Sequence, residues 1–169
     1  TTNWQYIANS LEPLILDIVA TLPAGKIRLG ISTYGLKARP QQINAAGLSL
    51  KKEIKAVGRS VRIVPNKLNE LNSAQVLHNQ LTGETGIEIT CVRAGNNTII
   101  ARTLAEQDIE AYAKRDQNRP ARDARVGMLP PKLAQIIINL TSPAPTARLL
   151  DPFCGTGVAL QEALLMGFA

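Results

Sequence analysis

Two stretches of the chain place apolar residues at the spacing of an α-helix. Residues 4–20 carry an apolar side chain at nearly every third or fourth position, which predicts a helix with one buried stripe. Pro13 lies within this stretch and should break the helix, because proline removes a backbone donor. Leu50, Ile54 and Val57 form a second stripe, and they predict a helix over residues 46–59 with that side buried.

Apolar and polar residues alternate in four shorter stretches, as expected for β-strands. These stretches are residues 26–34, 61–64, 87–92 and 98–102. A turn at Gly95-Asn96-Asn97 joins the last two into a predicted hairpin, and Ser73 is expected to cap a short helix that extends to about Leu81. The order strand, helix, strand, helix, strand, strand predicts a small α/β domain with a mixed sheet and helices on a face.

The pattern changes after residue 104. Segment 115–123 is dense in charge and contains a proline, which is typical of a linker or a surface loop. Around it, helices are expected over residues 108–114, 131–140 and 158–165, and an apolar strand over residues 148–151. We therefore divide the chain into a first region, a linker and a last region, which are residues 1–104, 105–129 and 130–169.

Composition favours a folded, basic protein. Of the 169 residues, 45% are apolar and 19% are charged, so a packed core is expected. Lys and Arg number 19 against 13 Asp and Glu, which gives a net charge of +6. This surplus favours a polyanionic partner, with nucleic acid first and an anionic membrane surface second, although a merely soluble basic protein has the same balance.

Five cations form a candidate nucleic-acid surface. Four of them fall together on the side of the second predicted helix that lies away from its apolar stripe, and the fifth opens the next strand. They are Lys51, Lys52, Lys55, Arg59 and Arg62. A row of this kind is usually a solvated helix side, but with the net charge it is also the candidate nucleic-acid-binding surface of this chain.

The sequence gives little support for a metal site, a disulfide bond or a membrane-spanning segment. Cys91 and Cys154 lie far apart, and with His78 as the single histidine they cannot supply a zinc cluster. No apolar run approaches the roughly 18–20 residues that span a bilayer, and no signal peptide is visible. We expect a cytoplasmic protein that binds no metal and no membrane. Cys91 should lie in the core, His78 in a surface or core position, and Cys154 should be a small packing residue rather than a nucleophile.

A glycine-containing turn carries the most specific chemistry in the chain. Residues 151–157, Asp-Pro-Phe-Cys-Gly-Thr-Gly, connect the predicted strand to the last helix. Gly155 and Gly157 lack side chains, so a ligand can approach the backbone closely, and the helix N-terminus offers N–H groups and positive potential. Asp151 suits an ammonium or hydroxyl group of the ligand. A phosphate loop would need Lys after Gly157, and a dinucleotide fingerprint would need a third Gly where Leu160 stands.

This turn resembles the first motif of class I methyltransferases that modify exocyclic amino groups, and it is most similar to that of the THUMP-domain RNA methyltransferases. Gln161-Glu162-Ala163 in the next helix adds to the resemblance. Residues 108–123 resemble the linker of the family, and residues 127–140 resemble the helix before its cofactor strand. Within the family, the branch that methylates the 2-amino group of tRNA guanosine is the most similar.

The resemblance implies S-adenosyl-L-methionine as the cofactor and tRNA as the expected RNA. Residues 26–104 would be a THUMP-like domain, which in this family helps to position tRNA by its acceptor end. The remainder would be the first strand and helices of a Rossmann-like methyltransferase domain. The turn would line the methionine end of the cofactor, and its residues are Asp151, Pro152, Phe153, Cys154, Gly155, Thr156 and Gly157.

The catalytic motif of the family, Asp or Asn followed by Pro-Pro and an aromatic residue, is not found in this chain. The 12 residues that follow Gly157 do not match it, and Pro130-Pro131 precedes the cofactor strand and lacks the flanking residues. We therefore expect the first part of a longer enzyme, inactive alone, with no catalytic residue in this chain. Three leucines should then be poorly covered, unless they pack on helix 131–140 or self-associate: Leu160, Leu164 and Leu165.

Two other functions stay open. One is a free-standing RNA-binding module with a vestigial tail, in which the surface from Lys51 to Arg62 carries the function. The other is part of a DNA amino-methyltransferase, which can carry a related turn, although the basic α/β region and the linker argue against it. Alternating charges in the linker favour a structural role for its cations, through pairing of Arg115, Arg119 and Arg122 with Asp116 and Asp123.

Overall fold

The chain folds into two compact units. The computed structural model describes residues 1–118, 127–141, 144 and 146–168. The units comprise Thr1–Gln107 and Asp108–Ala169. Arg119, Arg122 and Asp123 of the predicted linker lie outside the described residues.

The first unit is a mixed α/β fold, as the strand and helix pattern predicts. Its elements are α1 (Trp4–Thr21), β1 (Ile27–Tyr34), α2 (Pro40–Ala56), β2 (Val61–Ile63), α3 (Ser73–His78), β3 (Gly86–Ala94) and β4 (Asn97–Arg102). The strands form one sheet in the order β2-β1-β3-β4. Strand β1 runs parallel to β2 and β3, and β4 is antiparallel to β3. The mixed sheet and the hairpin are therefore confirmed.

Alternation along the strands builds the core of the first unit. Leu29 and Ile31 of β1 pair with Ile87 and Ile89 of β3, and all four side chains are buried in the cluster that also takes in α1 and α2. Gly30 lies between the two β1 residues, where an added Cβ would come within 2.6 Å of both Leu71 and Leu81. Only a residue without a side chain allows that close approach.

The predicted break at Pro13 is wrong, because α1 runs without interruption from Trp4 to Thr21. Pro13 lies on the exposed side of the helix, and so does Asn9, whose carbonyl loses its helical partner to the proline. Proline inside a helix costs about 3 kcal/mol. Burying one large apolar side chain returns about 1.5–3 kcal/mol, and α1 buries five: Trp4, Ile7, Leu11, Ile15 and Val19.

Two predicted boundaries in the first unit also change. Helix α2 begins at Pro40, in the first helical turn where proline is tolerated, and it ends at Ala56. Val57 therefore lies beyond the helix and is exposed, not buried as predicted. Helix α3 is capped by Asn72, whose Oδ1 accepts from the Gln75 N–H at 2.8 Å, and not by Ser73.

The second unit contains three helices in its described residues. They are α4 (Ile109–Gln117), α5 (Pro131–Leu140) and α6 (Val158–Leu165). The predicted strand 148–151 is not formed. A strand needs a neighbour for its backbone hydrogen bonds, and the described residues place strands only in the sheet of the first unit. The predicted exposure of Leu164 and Leu165 is confirmed, whereas Leu160 is half-buried.

Candidate cofactor site

Two glycines shape the turn that precedes α6. Gly155 has a φ of 50° and Gly157 a φ of 75°, both in the left-handed region that favours glycine. The Gly157 N–H donates to the Cys154 carbonyl at 2.7 Å, and the Phe153 N–H donates to Asp151 Oδ1 at 3.0 Å. Gly157 is the N-cap of α6. The left-handed backbone therefore favours glycine at both positions, whether or not a ligand is bound.

The turn faces a cavity of about 460 Å³. One wall is formed by Gly127, Met128 and Leu129, just before α5. The other wall includes Asp151, Phe153, Cys154, Gly155 and Thr156, followed by Val158 and Ala159 of α6. Pro152 lines a separate, more apolar cavity, and Gly157 is the helix cap. The structure thus brings five of the seven predicted cofactor residues to one cavity.

The residues of this cavity fit an amino-acid-bearing nucleoside such as S-adenosylmethionine. Its size falls in the usual range of about 300–1,000 Å³ for small-molecule sites. Asp151 offers a carboxylate for an ammonium or hydroxyl group, and the first turn of α6 offers amides without helical acceptors for a carboxylate. Phe153 is 92% exposed, so its ring is available to an apolar surface. Sequence reasoning did not assign the wall at residues 127–129 to the site, although it noted the family resemblance there.

Glu162 is a buried carboxylate that connects the three helices of the second unit. Its side chain is 3% exposed and forms an ion pair with Arg115 of α4, with Nε to Oε1 at 2.9 Å. Its Oε2 accepts from Gln135 Nε2 of α5 at 2.6 Å. Gln135 Oε1 in turn accepts from the Tyr112 hydroxyl, and the Arg115 guanidinium lies 4.4 Å from the centre of the Tyr112 ring.

This network was not predicted from the sequence, where Asp116 and Asp123 were the expected partners of Arg115. The sequence did contain a feature that pointed to Glu162, because it is the one charged residue of α6. A lone charge in an apolar helix is either exposed or paired, and the sequence could not decide between them because the partner lies 47 residues away.

The two cysteines occupy opposite environments. Cys91 is fully buried, as predicted, and burial raises the pKa of its thiol to about 11. Cys154 is exposed in the turn and lines the cavity, so its interpretation as a packing residue is wrong. An accessible thiol therefore lies at the candidate cofactor site.

One of the five predicted RNA-binding residues has a structural task. The Arg59 guanidinium donates to the carbonyls of Val19 and Leu22 at 3.2 Å each and to that of Pro23 at 2.6 Å. Cations stabilise the carbonyl-rich end of a helix, so Arg59 caps the C-terminus of α1. The other four remain candidates: Lys52, Lys55 and Arg62 are exposed, and Lys51 is partly buried.

Most of the positive charge belongs to the first unit. Residues 1–107 hold 12 Lys and Arg against 7 Asp and Glu, whereas residues 108–169 hold 7 against 6. The described residues contain no cluster of three or more His, Cys, Asp or Glu side chains that could hold a metal ion. No described helix is both long enough and apolar enough to cross a bilayer.

The last third of the chain is similar to a class of methyltransferase domains. Residues 117–169 match the family described as RMKL-like methyltransferase domains. This match covers the turn, the cavity wall before α5 and helix α6, and it confirms the expected resemblance to methyltransferases for this segment.

Two curated relatives agree with that match. The tRNA (guanine(10)-N2)-dimethyltransferase of Methanothermobacter thermautotrophicus is 54% identical over 41 residues, which are 24% of this chain and 12% of that protein. The protein of the same name from Methanocaldococcus jannaschii is 39% identical over 74 residues, which are 43% of this chain and 20% of that protein. The matched part thus spans a fifth or less of the length of these curated relatives.

Proposed function

We propose that this chain carries the S-adenosylmethionine loop and the RNA-binding region of a tRNA guanosine N2-methyltransferase. The main support is the turn of residues 151–157, which faces a cavity of suitable size in a segment similar to methyltransferase domains. When bound, S-adenosylmethionine supplies an electrophilic methyl group on its sulfonium sulfur. The acceptor would be the 2-amino group of a guanosine, in keeping with the names of the relatives.

The residues of the turn would bind and orient the cofactor and would take no covalent part in the reaction. Asp151 would hold an ammonium or hydroxyl group, and the amides at the start of α6 would hold the carboxylate of the methionine moiety. The exposed ring of Phe153 would cover an apolar part of the ligand and exclude water. We propose no catalytic role for any residue of this chain.

The first unit would act as a THUMP-like, tRNA-binding domain. Its net charge of +5, from 12 basic and 7 acidic residues, supports contact with a polyanion. We propose Lys51, Lys52, Lys55 and Arg62 as phosphate contacts and leave out Arg59, because its guanidinium caps α1.

Protection of the Cys154 thiol tests the cofactor site directly. The sequence has two cysteines, and the buried Cys91 should react slowly, so alkylation of the native chain should report on Cys154. S-adenosylmethionine at ten times its dissociation constant should slow labelling about tenfold by mass action.

ATP and a thiol-free variant, Cys154→Ser, are the controls. ATP should give no protection, because the turn lacks the lysine of a phosphate loop, and the variant should not label. Labelling that stays unchanged up to millimolar S-adenosylmethionine would contradict the proposed site.

A second candidate function is a free-standing RNA-binding module, which the concentration of positive charge in the first unit favours. Under this alternative tRNA would bind, but S-adenosylmethionine would leave Cys154 unprotected. The pair of measurements therefore separates the two functions.

A further inference from the structure

The two walls of the cofactor cavity belong to different segments of the chain. Residues 127–129 lead into α5, and residues 151–159 lead through the turn into α6. The width of the cavity therefore depends on how α5 and α6 are held against each other. A ligand that contacts both walls is sensitive to small changes in this spacing.

Glu162 is placed to fix that spacing. It lies one helical turn after Val158, which lines the cavity, and its two carboxylate oxygens contact different helices. Oε1 accepts from Arg115 of α4, and Oε2 accepts from Gln135 of α5. We propose that Glu162 is a positioning residue, which holds α5 and α6 in the register that the cofactor site needs, with Arg115 as its charged clamp. This inference rests on the proposed function of the cavity.

The hydrogen bonds of Glu162 are directional, whereas the apolar contacts of α6 are not. The other residues of α6 are apolar apart from Gln161, so apolar contacts alone would leave its rotation and axial position loosely defined. A buried carboxylate must find donors in specific directions, because leaving it unsatisfied is costly. Each donor here comes from a separate helix, so satisfying Glu162 sets the position of α6 against both.

The hydrogen bonds of this network run in one direction, from Tyr112 through Gln135 to Glu162. The Tyr112 hydroxyl donates to Gln135 Oε1, which turns the Gln135 amide nitrogen towards Glu162. The Arg115 guanidinium stacks on the same tyrosine ring and reaches Glu162 with its Nε. Tyr112 therefore orients both donors of the carboxylate, and α4 supplies part of the support for the cofactor site without lining the cavity.

The experiment measures the dissociation constant for S-adenosylmethionine by Cys154 protection in the full 169-residue chain. Glu162→Gln replaces an acceptor by an amide that opposes one of the donors, and Arg115→Lys keeps the charge but removes the Nε contact and the stacking. Each should weaken cofactor binding about tenfold, the scale of one charge-assisted hydrogen bond. Tyr112→Phe keeps the ring and should cost only about two- to threefold.

Matched controls come from the same helices. Lys114→Ala removes an exposed cation next to Arg115, and Gln161→Ala removes an exposed polar side chain next to Glu162. Both should bind the cofactor as the unchanged chain does. The double variant Arg115→Lys with Glu162→Gln should bind about as weakly as the worse single variant, because the two residues act through one contact.

Thermal unfolding of every variant separates positioning from simple stabilisation. Binding is measured well below each unfolding midpoint, where the second unit is folded. Weaker binding by the folded variants supports the inference. Binding equal to that of the unchanged chain overturns it, even if the midpoint falls, and so do additive losses in the double variant. If the unchanged chain is not protected at all, the cofactor site itself fails, and this inference fails with it.

Discussion

Gly157 holds a backbone conformation that most residues avoid, yet the space around it is open. Its φ is 75°, and no heavy atom lies within 4 Å of an added Cβ. Two different demands could explain a glycine here, namely the left-handed backbone of the helix cap and the close approach of a ligand. They make opposite predictions about which replacement is tolerated.

Replacing Gly157 by Ala, Asn or Val separates these two demands. If the backbone decides, Asn should be the best tolerated and Val the worst, because Asn adopts the left-handed conformation more easily. We expect Ala to destabilise the second unit by about 1–2 kcal/mol and to weaken S-adenosylmethionine binding at least fivefold. Thermal unfolding and Cys154 protection measure the two effects. Tighter cofactor binding by the Ala variant than by the Asn variant would show instead that ligand approach dominates.

The buried thiol of Cys91 should make the stability of the first unit fall as the pH rises into the alkaline range. Its folded pKa is raised by burial to about 11, above the ordinary 9.0, so the folded state holds this proton more tightly than the unfolded chain does. The contribution is fully present below pH 9 and is lost as pH rises from 9 towards 11. The difference between the folded and unfolded pKa values corresponds to a contribution of about 1–3 kcal/mol to the free energy of unfolding.

Denaturant unfolding at pH 8 and pH 10.5 measures this contribution, with Cys91→Ala as the comparison. The variant is less stable at both pH values because it leaves a cavity, but it should lose less stability between them than the unchanged chain. Equal losses would show that other groups carry the alkaline transition.

At the scale of the element, Arg59 connects the end of α1 to the segment after α2. Its guanidinium donates to three carbonyls at or just after the C-terminus of α1, where carbonyls lack the full set of helical donors. Arg59→Met should therefore destabilise the first unit by about 1–3 kcal/mol.

The exposed cation Lys55 on α2 offers the control, and Lys55→Met should change stability by less than about 0.5 kcal/mol. Unfolding in denaturant can be followed by the fluorescence of Trp4, the single tryptophan, which is buried in the first unit. Similar unfolding midpoints for the two variants would contradict the capping role of Arg59.

Local pattern predicted the elements of the first unit well, because apolar residues repeat there at the spacing of a helix or of a strand. It failed where the outcome depends on distant residues. Pro13 is accommodated because five buried side chains on the opposite side hold α1 together. Residues 148–151 have the composition of a strand but lack a paired neighbour among the described residues, and composition does not reveal that.

In the candidate site, too, some features were predicted from the sequence and others depend on residues that are distant in sequence. The turn of residues 151–157 was evident from its two glycines and its resemblance to a known motif. The wall at residues 127–129 and the carboxylate of Glu162 were not, because both come together with the turn only through the packing of α5 and α6. Arg59 looked like a surface cation because its carbonyl partners lie some 36–40 residues earlier.

At the scale of the whole molecule, the uneven charge of the two units predicts how RNA binding responds to salt. If the first unit contacts phosphates, tRNA affinity should fall steeply with salt, with a log–log slope that grows by about 0.7–0.9 per phosphate contact. Lys52→Glu with Lys55→Glu should weaken binding at least tenfold and make the slope shallower.

The matched control reverses two cations of the other unit, through Lys114→Glu and Lys132→Glu, and should change tRNA affinity much less. Filter binding over a range of salt concentrations measures all three proteins. Equal losses from the two double variants would place the RNA contacts outside the α2 surface, and equal affinity for duplex DNA would favour the DNA methyltransferase alternative.

Because Cys154 is accessible and Cys91 is buried, the unchanged protein can be labelled selectively at one thiol and used to detect ligand binding. An environment-sensitive dye can be attached at a single position without mutagenesis, on the rim of the cavity that a nucleoside would enter. The rate at which such a dye attaches would fall as ligand fills the cavity, which allows analogues with altered sulfonium, ribose or base groups to be ranked before any methyl acceptor is known.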